Sequence, residues 1–334
     1  MDKGRLHGLD GLRGLMAWWV VAGHIGHTFG SENPVLASNG LAVDVFIILS
    51  GFVIAKLIEE QREDYATFIT RRALRLFPLY LAVLFASALL LPLIYEVLVT
   101  FPENARNHAR EIVTVEGLAN LPLHLAAHIP LLQGLVPHSV LEYSAYTIVG
   151  QAWSVSLEWQ FYLVAPLVMG ALATRRYVLL GAFCAVLMAL SLHMGPAFLG
   201  SKLALFAVGI GSYRYPRLLL LAVPLALWAD GIAVFVPLAI WAAALPFANS
   251  ALMGAAPLRY LGDRSYSVYL VHMLPLYVGG WFTRDALVLS AIVVFGTLAL
   301  SHFTYRFIEL PGIALGKRLT RRMHERRALL EVAA

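Results

Sequence analysis

The chain has 334 residues, 60% of them hydrophobic and only 13% charged, with a mean hydropathy of +0.73. Soluble domains average about 45–50% apolar and about 25% charged residues, so this chain has too few polar groups to cover a water-facing surface. The excess of 25 basic over 20 acidic side chains follows from membrane topology rather than nucleic-acid binding, and the single cysteine, Cys184, excludes an intramolecular disulfide or a cysteine-based metal cluster.

A helix rises ~1.5 Å per residue and must cross ~30 Å of hydrocarbon, so each span needs about 20 mostly apolar residues. The sequence predicts ten: 9–29, 40–59, 74–99, 151–173, 176–193, 198–214, 216–230, 231–248, 265–283 and 285–308. The expected fold is therefore all-α, a polytopic integral membrane bundle. Asp10, Arg13 and His24 interrupt the first apolar run, which argues against a cleavable signal peptide. Pro224, Pro237 and Pro246 should kink the seventh and eighth spans, and no internal repeat is visible.

With ten spans, both termini and every second loop share one side. That side collects 20 of the 25 Lys and Arg residues, while Arg106, Arg110, Lys202 and Arg284 fall opposite and Arg13 lies inside the first span. Positive charge marks the cytoplasmic face, so both termini are expected there, with a multi-pass topology in a cell membrane, the bacterial inner membrane by expectation. Residues 1–312 then form the transmembrane domain. Residues 313–334 form a basic cytoplasmic tail, rich in arginine from Lys317 to Arg327, expected to lie along the inner leaflet. The long loop at about residues 100–150 reads as partly re-entrant. His124 and His128 stand one helical turn apart in it, but no third ligand is placed to make a metal site.

Ionisable side chains within spans are costly and mark functional candidates. Arg13 and His24 are eleven residues apart, which leaves them within about 20° of one face and ~16 Å apart along the axis. A phosphate-rich head at Arg13 would need a long, thin arm to reach His24. Coenzyme A has that shape. Asp44 in the second span and Glu158 in the fourth are alternative partners for His24, with depth favouring Asp44. Arg71, Arg72 and Arg75 crowd the start of the third span, and guanidinium forks suit phosphates. Ser154 shares a stripe with Glu158; Ser265, Tyr269 and His272 share one face of the ninth span and would line an interior polar path.

Six segments in order resemble the acyltransferase 3 family, the multispan membrane O-acyltransferases: LDGLRGLMAWWVVAGH, AVDVFIILSGFVI, RRALRLFPLY, WSVSLEWQFYL, LGDRSYSVYLVH and FIELPG. The resemblance implies roles in catalysis and acyl-CoA use for His24, Arg13, Arg71, Arg72 and Arg75. It also implies acetyl-CoA as the donor substrate, with no tightly bound cofactor, and a hydroxyl-bearing acceptor, a carbohydrate by expectation. Some members carry an added hydrolase-like domain, which is not seen here, so any second transfer step would need a separate protein. The fourth motif departs from the family at Trp159, where acidic or polar residues are common.

The mechanism expected is general-base catalysis. His24, oriented by Asp44 or Glu158, takes the acceptor's proton while Tyr269 or Ser154 stabilises the oxyanion. An acyl-histidine intermediate is an open variant. The main rival is a secondary transporter with a mid-membrane ionisable site, which would bury similar groups.

Overall fold

The computed structural model describes residues 6–219, 232–250 and 252–333, and no strand occurs among them. Fifteen α-helices are described: α1 His7–Thr28, α2 Pro34–Ala37, α3 Gly40–Gln61, α4 Tyr65–Leu98, α5 Ala105–Ala119, α6 Leu121–His128, α7 Trp153–Ala173, α8 Tyr177–Ser191, α9 Leu203–Arg214, α10 Ile232–Ala244, α11 Ala256–Asp263, α12 Ser265–Val271, α13 Met273–Phe282, α14 Ala286–Thr304 and α15 Leu310–Ala333. The protein is an all-α, multi-pass membrane bundle.

Four helical stretches among the described residues are long and apolar enough to cross a membrane: Gly40–Gln61, Tyr65–Leu98, Gly150–Ala173 and Ala286–Arg327. Tyr177–Ser191 and Val234–Phe247 are shorter apolar helices. Several of the ten expected spans change shape. The sixth shrinks to α9, 12 residues preceded by a 3-10 turn at Leu199–Lys202. The ninth is broken at His272 into α12 and α13. Most of the seventh, 216–230, lies outside the described residues. The loop after α4 folds into α5, α6 and a series of turns. Asn104 starts α5 by accepting from the backbone N–H groups of Arg106 and Asn107.

Close helix contacts fix the frame of the site. A Cβ on Gly209 of α9 would lie 2.1 Å from the Ile48 carbonyl oxygen of α3, and one on Gly51 would lie 2.4 Å from that of Phe206. Only glycine lets these two backbones touch, and tight approach between small residues is a main source of helix association in lipid. α1 packs on α11 in the same way: a Cβ on Gly262 would fall 2.0 Å from the carbonyl of Asp10.

The C-terminal segment is helical and continuous with the helix before it. α14 runs through one π-helical stretch, Tyr305–Glu309, into α15. α15 then docks along the start of α4. The Thr67 hydroxyl donates to Asp64 Oδ2 at 2.7 Å, so the His324 Nε2 found 2.8 Å away is the donor to Thr67. Arg327 stands 3.4 Å from the Asp64 carboxylate. Asp64 also caps α4 through the Thr67 backbone N–H. The Thr67 hydroxyl above all, then that N–H, Arg327 and His324, hold the Asp64 carboxyl below its ordinary range against a weaker opposing effect of burial.

Candidate active site

Helices α1, α3, α4, α7 and α12, with the end of α11 and the π-helical stretch, enclose a cavity of about 330 Å³. Three guanidiniums line it: Arg13 from α1, and Arg72 and Arg75 from α4. The Nε atoms of Arg13 and Arg72 are buried with no hydrogen-bond partner. Asp10, Asp263, Glu158 and Glu309 line the same space. It is a mixed-charge chamber, unlike the apolar surface a lipid-facing groove would present.

The arginine run of α4 divides. Arg71, expected beside Arg72 and Arg75, is not in the cavity wall. It donates to Glu63 through Nη1 and to Thr320 Oγ1 at 3.1 Å through Nε, which ties α4 to α15. On the helix, residue 75 lies about 40° round from 71 and about 60° from 72, so angular position alone does not set Arg71 apart. Charge density in the sequence does not distinguish these arginines. Neighbours do.

Two carboxylates organise the chamber floor. Glu158 Oε1 accepts from the Tyr162 hydroxyl and, at 3.4 Å, from Ser50 Oγ. Trp159 turns to Phe77, edge to face at 5.0 Å between centroids, so it takes no part in these bonds. Glu309 is 1% exposed; its Oε2 accepts from Ser267 Oγ at 2.9 Å, and its Oε1 stands 3.9 Å from Arg75 Nη2. A π-helical stretch adds residues to a turn and is common at functional sites. Here that stretch ends on Glu309.

Ser154, Ser265 and Tyr269 line the cavity, whereas His272, the fourth residue of the expected polar path, does not. Their hydrogen bonds alter their use. Tyr269 donates to the Gln151 carbonyl at 2.7 Å, since a carbonyl can only accept, so Ser154 donates to Tyr269 across 2.8 Å. Both hydroxyl protons are engaged, and neither is free for the oxyanion role expected of them.

His24 lies outside this chamber's lining, nearer the other end of α1. Its ring centroid is 5.1 Å from that of His272 and 6.0 Å from that of His27. His272 in turn stands 6.1 Å from Tyr269, so a file of rings leads from the cavity wall to His24. The carboxylate partner expected for His24 is not there. Asp44 lies 2.7 Å from Lys202 Nζ in an ion pair, and Glu158 is held by Tyr162 and Ser50. Each acid is already engaged by a neighbouring donor.

Arg110 of α5 takes that place instead. Its Nη2 is 3.0 Å from His24 Nδ1 and 3.4 Å from the His24 carbonyl, and its Nη1 donates to Thr28 Oγ1 at 2.9 Å and Asn107 Oδ1 at 3.2 Å. Sequence reading assigned Arg110 only to a loop. The available signal was the Asn104 cap followed by a charged, amphipathic run. Glu309 was missed too, although it sits in the FIELPG segment already noted. His124 and His128 are buried and engaged with Thr147, Ser144 and Tyr80, away from the cavity.

Comparison with known proteins places these features in context. A family model described as an acyltransferase domain, acyltransferase 3, matches residues 6–255. A protein named membrane-bound transacylase BcsY, from Komagataeibacter xylinus, is 27% identical over 367 residues, covering 99% of this chain and 89% of the relative. The O-acetyltransferase OatA of Staphylococcus aureus is 24% identical over 364 residues; 92% of this chain aligns, but with only 57% of OatA's length. Protein 2 in the picA locus of Rhizobium radiobacter is 41% identical over 80 residues, 23% of this chain and 40% of that protein. No solved structure matches the chain.

Proposed function

The chain belongs to the acyltransferase 3 family and is a membrane acyltransferase, and from that premise we propose that it moves an acetyl group from acetyl-CoA to a hydroxyl of a carbohydrate acceptor. The observation that carries the donor assignment is the group of three guanidiniums around one cavity, two of them with buried, unpartnered Nε atoms. A buried donor without an acceptor is costly, of order 1–3 kcal/mol, unless a ligand supplies one. Phosphate oxygens match it chemically, and Arg13, Arg72 and Arg75 are the residues that would hold them.

The pantetheine arm then runs along the chamber towards Phe46, Ser154 and Tyr269. Beyond that level stand His272 and His24, where the thioester meets the acceptor hydroxyl. The hydroxyl loses its proton to an imidazole as its oxygen attacks the carbonyl, and the C–S bond breaks as the ester forms. Arg71 serves the frame, through Glu63 and Thr320. The basic segments support a cytoplasmic position for both termini and an acceptor reaching His24 from the outer face. The name O-acetyltransferase borne by the relative OatA supports oxygen as the acyl acceptor.

The test is binding and slow hydrolysis of radiolabelled acetyl-CoA by the purified chain in nanodiscs. Saturable binding weakened in Arg72→Ala, with hydrolysis lost in His24→Ala, is the expected result. Folded protein that binds no acetyl-CoA would overturn the donor assignment.

A further inference from the structure

The reaction needs one imidazole with a free lone pair at the acyl group. Two imidazoles stand there, and their hydrogen bonds are opposite in kind. At His24, Nδ1 faces Arg110 Nη2 at 3.0 Å. A guanidinium has only donors, so His24 Nδ1 accepts and, in the neutral ring, the proton sits on Nε2. At His272, Nδ1 faces the Tyr269 carbonyl at 2.8 Å. A carbonyl only accepts, so His272 Nδ1 carries the proton and Nε2 holds the lone pair. That Nε2 is buried with no hydrogen-bond partner, in a residue 1% exposed.

Resting on the reading above, we infer that His272, rather than His24, is the catalytic base, and that His24 is the hydrogen-bond donor, held in that tautomer by Arg110. The acceptor hydroxyl gives its proton to His272 Nε2 while its oxygen attacks the thioester carbonyl. His24 Nε2–H donates to the oxyanion as it develops, the role that Ser154 and Tyr269 cannot fill. When the C–S bond breaks, the proton on His272 passes to the departing thiolate, leaving ester and free thiol with both rings restored. No other reactant is consumed.

The surroundings fit this division. The groups facing the pair are His27 on α1, Arg106 and Arg110 on α5 and Tyr269 on α12. Among the described residues, no carboxylate is hydrogen-bonded to either ring. The helix break between α12 and α13 falls at His272 itself. Gln151 Nε2 donates to the Leu270 carbonyl at 2.7 Å, which pins the turn just before it.

Because the acceptor is not identified, the probe is hydrolysis of radiolabelled acetyl-CoA, with water as the acyl acceptor, by the full chain in nanodiscs. His272→Gln keeps the size of the side chain but has no titrating lone pair, and hydrolysis should fall about 100-fold or more with acetyl-CoA affinity unchanged. His24→Gln retains an amide N–H and should lose only about tenfold. Imidazole added to His272→Gly should restore part of the rate. An active His272→Gln beside an inert His24→Gln would overturn this division of roles while leaving the donor assignment standing. If both variants lose 100-fold, the residual pH profile decides. Loss of rate towards acid pH should persist in His24→Gln and vanish in His272→Gln, and the reverse overturns the inference. Wild-type protein that binds no acetyl-CoA sinks the donor assignment and this inference together.

Discussion

The two ends of α1 solve different problems with similar materials. Around Arg13, four carboxylates and three guanidiniums share a cavity, and the Nε atoms of Arg13 and Arg72 have no hydrogen-bond partner. Around His24, one guanidinium is fully engaged by an imidazole, two hydroxyl or amide oxygens and a carbonyl, with no acid among its hydrogen bonds. The first arrangement is open chemistry, suited to a large anionic ligand that supplies what is missing. The second is closed, suited to holding a ring in one tautomer. On the proposed reading, binding and bond-making are separated along α1, with a long donor lying between them.

The sharpest way to break this comparison is to test each end for the other's phenotype. His24→Ala, which loses the oxyanion donor entirely, should lower hydrolysis of acetyl-CoA by about 10²–10³-fold and leave its dissociation constant nearly unchanged. A large rise in the dissociation constant would show that the two ends are not separable. Arg72→Ala should do the opposite. Loss of one charge-assisted contact of about 1.5–3 kcal/mol corresponds to about 10–100-fold weaker binding, and the deficit should shrink when a donor analogue lacking phosphates is used.

Arg71→Ala sharpens the division within α4. It should leave the acetyl-CoA dissociation constant within about twofold while lowering the midpoint of thermal unfolding, because it removes the link from α4 to Thr320. An affinity loss matching that of Arg72→Ala would return Arg71 to the binding site. The smallest effect is expected at Asp64. Asp64→Ala should cost about 1 kcal/mol or less as a lost helix cap, discounted because the group is near the surface. Its carboxyl is held below the usual range in the folded chain. Its contribution is therefore full above the unfolded carboxylate's range and disappears as pH falls through the folded value. Wild type and Asp64→Ala should converge in stability in acid, as followed by thermal unfolding in nanodiscs; a gap that widens there would contradict the role.

Much of this was legible without coordinates. Arg13, Arg72, Glu158, Ser154, Ser265 and Tyr269 meet in one cavity, and His24 and His272 meet just beyond it, because helical spacing and burial cost constrain which ionisable residues face inward. What failed was pairing. Asp44 meets Lys202 and His24 meets Arg110, and each choice depends on which helices adjoin at that depth. The contacts of Thr320 and His324 with α4 were equally illegible, because they join residues about 250 positions apart.

The sequence by itself determined that the chain is a helical membrane protein, since 60% apolar residues admit no other solvent for its spans. It also determined the acyltransferase motifs and their order. Only the tertiary structure decided which arginine faces the cavity, which hydroxyls are already spent and which nitrogen of each histidine is free. Those are relations between side chains distant in the chain, and hydrogen-bond direction is fixed by the partner's chemistry rather than by local spacing.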